Sequence, residues 1–237
     1  MSTDDSYLMG DDSSPLDSLE PAPATPDPEE MLQLLKSLEP SQRMLAARAF
    51  CEIKDSRAVP QLVRLLTDVC PLIRVSAAYA LGRNPSPVAV EPLIAQLVGD
   101  WSGYVRKGIV WALGNSRDDR ALVPLVDALA TDISAVRLWA ASSLAQMANA
   151  AALPALLTSL KGDPVAAVRS NCAWAVGQLC RELPTPAAYA EAIAALINAL
   201  EADPDMGVQA DAQAALLKVG DPRGLQVIER MQAEGTL

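Results

Sequence analysis

From residue 28 onward the chain carries short runs of apolar residues spaced three and four apart, interrupted at close intervals by Pro, Asp or Gly. Pro92-Leu-Ile-Ala-Gln-Leu-Val and Pro124-Leu-Val-Asp-Ala-Leu-Ala keep the spacing of an amphipathic helix. Each is followed, across a tight turn, by a second helical run such as Val105-Arg-Lys-Gly-Ile-Val-Trp-Ala-Leu-Gly or Val168-Arg-Ser-Asn-Cys-Ala-Trp-Ala-Val-Gly. Two helices per unit is the element pattern this predicts.

The units recur. Arg74, Arg106, Arg137 and Arg169 stand 32, 31 and 32 residues apart, with Arg43 one period earlier and Gln209 in the same role after a longer gap. Asp68, Asp100, Asp132, Asp163 and Asp203 precede these residues by six positions, or by five in one case, and Pro60, Pro92, Pro124 and Pro154 form a third column. An amphipathic pair cannot bury its apolar stripe alone, so such units stack into a continuous core. The predicted fold is all-α, a right-handed α-α superhelix of about six helix pairs with one further helix at the end.

The punctuation predicts where helices start. Each first helix is expected to open near its column proline, because proline is tolerated in the first turn. Asp27-Pro28, Asp163-Pro164, Asp203-Pro204 and Asp221-Pro222 read as N-caps followed by proline at the first helical position. One unit is longer, and Glu182-Leu-Pro-Thr-Pro-Ala-Ala-Tyr189 is expected to lie between its helices as a surface loop.

Composition agrees with helices, since Ala and Leu dominate and there is one Phe. Charge divides the chain in two. The formal charge is −10, and residues 1–27 hold Asp4, Asp5, Asp11, Asp12, Asp17, Glu20 and Asp27 with no Lys or Arg, leaving about −3 for the rest. Residues 1–27 therefore read as a disordered acidic arm and 28–237 as the repeat domain. A body of that sign argues against nucleic acid as a partner. The absence of His removes Ser-His-Asp and Cys-His chemistry, and no phosphate-cradling loop or nucleophile elbow is present. Cys51, Cys70, Cys172 and Cys180 match neither a redox pair nor a zinc knuckle. No apolar run is long enough to span a bilayer and the start of the chain is acidic, so a cytoplasmic location is the expectation.

The Asp-to-Arg spacing, followed by small residues ending in Ala80-Leu81-Gly82 and Ala112-Leu113-Gly114, resembles the HEAT-repeat pattern over residues 28 to about 230. The short units, together with Trp101-Ser-Gly-Tyr-Val-Arg-Lys-Gly-Ile-Val-Trp-Ala-Leu-Gly-Asn115 and Ala167-Val-Arg-Ser-Asn-Cys-Ala-Trp174, are similar to the cyanobacterial HEAT-like group that includes the E/F-type phycobilin lyases. That resemblance implies a protein that attaches, removes or chaperones open-chain tetrapyrroles on phycobiliproteins, working as a heterodimer with a second HEAT protein, or a scaffold or adaptor such as one serving an iron–sulfur carrier. Phycobilin is the ligand it implies; the residues themselves call for no cofactor and no metal.

On a helical wheel with the column arginine at zero, positions −1, +3 and +7 cluster on one side and +5 lies nearly opposite. Tyr79, Trp111 and Trp174 occupy +5. In HEAT-like solenoids the second helix lines the concave surface, so Tyr79, Arg83, Lys107, Trp111, Asn115, Trp139, Asn171, Trp174 and Gln178 are the candidate binding residues of a concave groove. Alternatively the rings pack between neighbouring second helices and fill space left by Gly82, Gly108, Gly114 and Gly177. Asp68, Arg74, Asp100, Arg106, Asp132, Arg137, Asp163 and Arg169 are read as a structural ladder, Cys172 as a core residue, and Trp101 and Tyr104 as turn residues. No catalytic residue is assigned. The reading favours a binding scaffold or maturation chaperone for a protein client in phycobiliprotein or photosynthetic assembly over a lyase subunit.

Overall fold

A computed structural model describes residues 26–236. Thirteen α-helices fill it: α1 Pro28–Leu34, α2 Pro40–Ala49, α3 Val59–Leu65, α4 Pro71–Arg83, α5 Pro87–Gly99, α6 Gly103–Ser116, α7 Leu122–Thr131, α8 Ser134–Met147, α9 Leu153–Gly162, α10 Ala166–Leu179, α11 Pro186–Ala202, α12 Met206–Val219 and α13 Pro222–Ala233. They form six successive pairs and a closing helix. The expected arm falls almost wholly in residues 1–25, outside the described residues.

The second helices α2, α4, α6, α8, α10 and α12 pack side by side from end to end, while the first helices touch one another more sparsely. A stack whose inner layer is tighter than its outer layer curves toward the inner one, so the even-numbered helices line the concave face. The close spacing needs small residues. A Cβ on Gly114 would lie 2.8 Å from the Cα of Ser143, and one on Gly177 would lie 2.8 Å from the Cβ of Ala215. The opposite side of each second helix faces the first-helix layer. There Ile73, Ala77 and Leu81, Val105, Ile109 and Leu113, and Val168, Cys172 and Val176 are all buried, at the −1, +3 and +7 positions of their units.

The Asp and Arg columns lock each unit to the next. The Arg74 guanidinium donates from Nε and Nη2 to the Asp100 carboxylate at 2.6 and 3.0 Å, and from Nη1 to the Asp68 carbonyl at 2.9 Å. Arg106 makes the same pair of bonds to Asp132 and to the Asp100 carbonyl, Arg137 to Asp163 and the Asp132 carbonyl, and Arg169 to Asp203 and the Asp163 carbonyl. Arg43 opens the series on Asp68 at 2.9 Å. Every turn acid also accepts a nearby backbone N–H, as Asp100 does from Ser102 at 2.8 Å. Gln209 closes the series, keeping only the bond to its own unit's carbonyl, Asp203, at 2.7 Å. An amide suits that place because no further turn acid faces it.

The ends of helices correct several expectations. Asp27 and Asp221 do cap α1 and α13, accepting from the backbone N–H of Glu29 and Arg223 at 3.2 and 2.9 Å. Asp163 and Asp203 do not cap the second helices. They follow the last residues of α9 and α11, and α10 and α12 begin later, at Ala166 and Met206. Their carboxylates are turned instead toward the arginine of the preceding unit. Pro92 does not open α5 either: the helix starts at Pro87 and Pro92 lies inside it. Within the expected loop, Pro186–Tyr189 instead forms the first turn of α11, with Thr185 accepting from the backbone N–H of Ala188 at 3.2 Å, so the insertion lengthens a helix. Tyr104 belongs to the first turn of α6 and only Trp101 lies in the turn before it.

Candidate concave-face binding site

The +5 column is split by its neighbours. Trp111 of α6 leans over α4, where Gly82 leaves a slot: a Cβ at Gly82 would stand 2.3 Å from Cζ3 of the indole. Tyr79 lies near Gly108, where a Cβ would stand 3.4 Å from its ring, an ordinary contact, and it meets Trp111 with ring centroids 5.4 Å apart, tilted by 50°. Both rings are half-buried. Arg83 covers the outer side of Trp111, its guanidinium carbon 5.9 Å from the ring centroid. Trp174 stays 40% exposed. The residue of α8 in the register of Gly82 is Ala145, which carries a methyl where Gly82 carries none. Trp139 carries Lys107 over its ring at 5.3 Å.

The polar candidates divide as well. Asn115 donates to the Gly82 carbonyl at 3.3 Å, and Asn171 donates to the Leu138 carbonyl at 2.5 Å and to Ser142 Oγ at 2.6 Å, so both amides tie one second helix to the previous one. Gln178 accepts from Lys218 Nζ at 2.7 Å. Tyr79, Arg83 and Trp111 thus come together as one cluster, Lys107 and Trp139 form a second, and Trp174 stands apart.

Around the first cluster lies a cavity of about 530 Å³, walled by Met44, Arg48, Cys51, Glu52, Leu72, Val75, Ser76, Tyr79, Arg83 and Trp111. It is apolar on its floor, with Arg48, Arg83 and Glu52 at its edges. The residues contributed by α2 were missed by a reading that followed aromatic side chains. Arg48 occupies the same +5 position in the first unit as Tyr79 and Trp111 in theirs, and that register was the available signal. A second hollow, about 500 Å³, adjoins it at the C-terminal ends of the helices, bordered by Lys54, Arg83, Asn115, Arg117 and Gln146. The Gln146 Oε1 there is buried and accepts no hydrogen bond.

Three acids of the ladder, Asp100, Asp163 and Asp203, are held below the ordinary carboxylate value. Burial pushes the Asp100 carboxyl up, but hydrogen bonds from Arg74, Gln96 and the Ser102 N–H outweigh it and leave the group below its ordinary value. Asp163 behaves likewise against Arg137 and Val165, and the Arg169 guanidinium holds Asp203 low. Burial pushes the Cys172 thiol up to about 12 and Cys180 up to about 11, so both remain protonated at neutral pH. Among the described residues, no group of three or more acidic, Cys or His side chains is placed to hold a metal, and no helix is long and apolar enough to cross a membrane.

The most exposed rings lie elsewhere. Trp101 and Tyr104 are 78% and 79% exposed at the edge where first helices turn into second ones, with the Arg74 guanidinium 5.7 Å from the Trp101 centroid. Leu38, Val69 and Ile133 occupy that edge in neighbouring units and are exposed too.

Stacked helix pairs, an Asp–Arg rung between every unit and a concave row of second helices define an α-solenoid of the HEAT and armadillo type. The chain belongs to the HEAT-repeat family, whose model matches residues 28–97 and 90–177. Among solved structures it is similar to the complex of CpcE and CpcF of phycocyanin lyase from Nostoc sp. PCC7120, at 22% identity and a TM-score of 0.58 over 91% of this chain and 99% of that one. It is similar also to a designed armadillo repeat protein in complex with the peptide (KR)4, at 24% identity and a TM-score of 0.57 over 81% and 98%. Kap121p matches at 17% identity and a TM-score of 0.62, over 81% of this chain and 23% of that one. At these identities the likeness shows the fold. No curated protein matches the chain in sequence.

Proposed function

We propose that this chain is a binding scaffold that holds a segment of a protein client on its concave face, in the manner of a maturation chaperone. The observation that carries the reading is the cavity between α2, α4 and α6, where an apolar floor with two half-buried rings is bordered by arginines. Aromatic and arginine side chains in a partly desolvated hollow are the groups that dominate protein recognition. The test is quantitative recovery of partners from the native cell by the wild type and by the Tyr79→Ala/Trp111→Ala double variant, with circular dichroism checking the fold. Partners recovered equally well by both would remove the cavity from the account.

A second reading, as one subunit of a phycobilin lyase, is favoured by the likeness to the CpcE–CpcF complex along nearly the whole of both chains and by the cation–ring pairs Lys107–Trp139 and Arg83–Trp111. Such pairs suit a tetrapyrrole, whose rings stack on indole and whose propionates pair with cations. Co-expression with bilin, an apo-phycobiliprotein and candidate partner subunits distinguishes the two, because only a lyase yields a covalently coloured client.

A further inference from the structure

The two hollows of the concave face carry more cations than acids. The column arginines are all engaged, each with the turn acid of the next unit. Arg48, Lys54, Arg83 and Arg117 line the two concave hollows at the N-terminal half of the solenoid and make no ion pair among the described residues, and Lys107 stands over Trp139 on α6. Lys36, Arg64, Lys161, Arg181 and Lys218 also lack an ion pair among the described residues but line neither hollow. Glu52 is the one acid lining either hollow. A chain of net charge −10 therefore presents a cationic, apolar-floored trough.

The complementary sequence is in the same chain. Residues 4–12 read Asp-Asp-Ser-Tyr-Leu-Met-Gly-Asp-Asp, three bulky residues between two pairs of acids, in a stretch with no Lys or Arg. We propose that this segment occupies the trough, with Tyr7, Leu8 and Met9 on the apolar floor near Leu72 and Val75 and the flanking aspartates against Arg48 and Arg83. The assignment rests on reading the concave face as a binding surface, and makes the arm a competitor that a client must displace.

Length permits it. Ser13 to Thr25 separates the acidic segment from the described chain, and thirteen residues can reach at most about 40 Å at the polyproline rise per residue. The trough begins on α2, the helix packed against α1, so it lies roughly one helix spacing, about 10 Å, from where the chain enters the fold. Tethering at that range gives an effective concentration on the order of millimolar, enough to populate a weak electrostatic contact.

The test uses the full chain with a photoreactive benzophenone amino acid introduced at Ser6. Irradiation should give an intramolecular adduct, independent of protein concentration, that peptide mapping places on α2, α4 or α6. Its yield should fall at least about fivefold in 0.5 M salt, in the Asp4→Asn/Asp5→Asn/Asp11→Asn/Asp12→Asn variant and in Arg48→Glu/Arg83→Glu. The arm variant leaves the helical repeats untouched, so a folding defect cannot account for its result. Adducts scattered over the first helices, adducts formed mainly between molecules, or a yield indifferent to salt and to the asparagines would overturn the proposal. Client recovery that still depends on Tyr79 and Trp111 would show in that case that the face binds clients without the arm.

Discussion

Replacing Asp100 by Ala removes the most buried rung of the Asp–Arg series. Arg74 is 6% exposed, and the substitution strips the partner from its Nε and Nη2 while leaving Nη1 on the Asp68 and Val69 carbonyls. The Ser102 N–H and the Gln96 amide lose their acceptor as well. Breaking a buried pair from one side costs about 3–5 kcal/mol, because the remaining charge cannot reach water. Removing both charges at once, as in Arg74→Met/Asp100→Ala, should cost distinctly less, because no lone charge remains. The exposed pair between Arg230 and Glu201 supplies the control, where Arg230→Ala should change stability by less than about 1 kcal/mol. Urea unfolding followed by circular dichroism gives the total effect, and hydrogen exchange locates it, since a solenoid opens between units. Faster exchange should be concentrated in α4 and α6. A loss under about 1 kcal/mol for Asp100→Ala, or exchange raised evenly along the chain, would refute the claim that these rungs couple neighbouring units.

Gly82→Ala places a methyl within 2.3 Å of Trp111 and 3.0 Å of the Ala112 Cα. Overpacking of about 1–3 kcal/mol, offset by about 1 kcal/mol of helix propensity, should appear as a lower melting temperature with a shifted tryptophan emission. Gly99→Ala, which meets nothing within 4 Å, should do neither. The depressed carboxyls of Asp100, Asp163 and Asp203 stabilise the fold above the unfolded carboxylate value of about 4, and that contribution is lost as pH falls through their folded values. Melting temperature should therefore be nearly level from pH 7 to about 5 and drop below about 4, and a fall beginning near neutrality would contradict it. Native Cys172 and Cys180 should resist an aromatic disulfide reagent at pH 8 until the protein unfolds, with mass spectrometry assigning the labelled thiols.

The fold was legible because its strongest constraint is a sequence pattern. Each rung needs one Asp at a turn and one Arg a fixed distance beyond it, so the period survives where the apolar residues vary. The buried face at −1, +3 and +7 followed from the same register. Helix starts were less legible because Asp-Pro has two uses: Asp27 and Asp221 cap helices, whereas Asp163 and Asp203 face an arginine from the unit before. The placing of the candidate residues was partly legible. The +5 column pointed to Tyr79, Trp111 and Trp174, but Trp111 sinks because Gly82, about thirty positions earlier, leaves room for it, whereas the residue in that register before Trp174 is Ala145 and Trp174 stays more exposed. The cationic trough was hidden by the total charge. Its members are scattered from Arg48 to Arg117 and become neighbours only when the units stack.

Site-specific photo-crosslinking in the native cell tests the binding face most directly. A photoreactive residue introduced at Leu72 or Trp174, both exposed on second helices, is compared with one at Val123, exposed on a first helix. The expected result is one discrete set of protein adducts from the concave positions, strongest at Leu72, and none of that set from Val123. The same adducts from all three positions, or adducts from Val123 alone, would contradict the assignment of the concave face as the surface that holds a client.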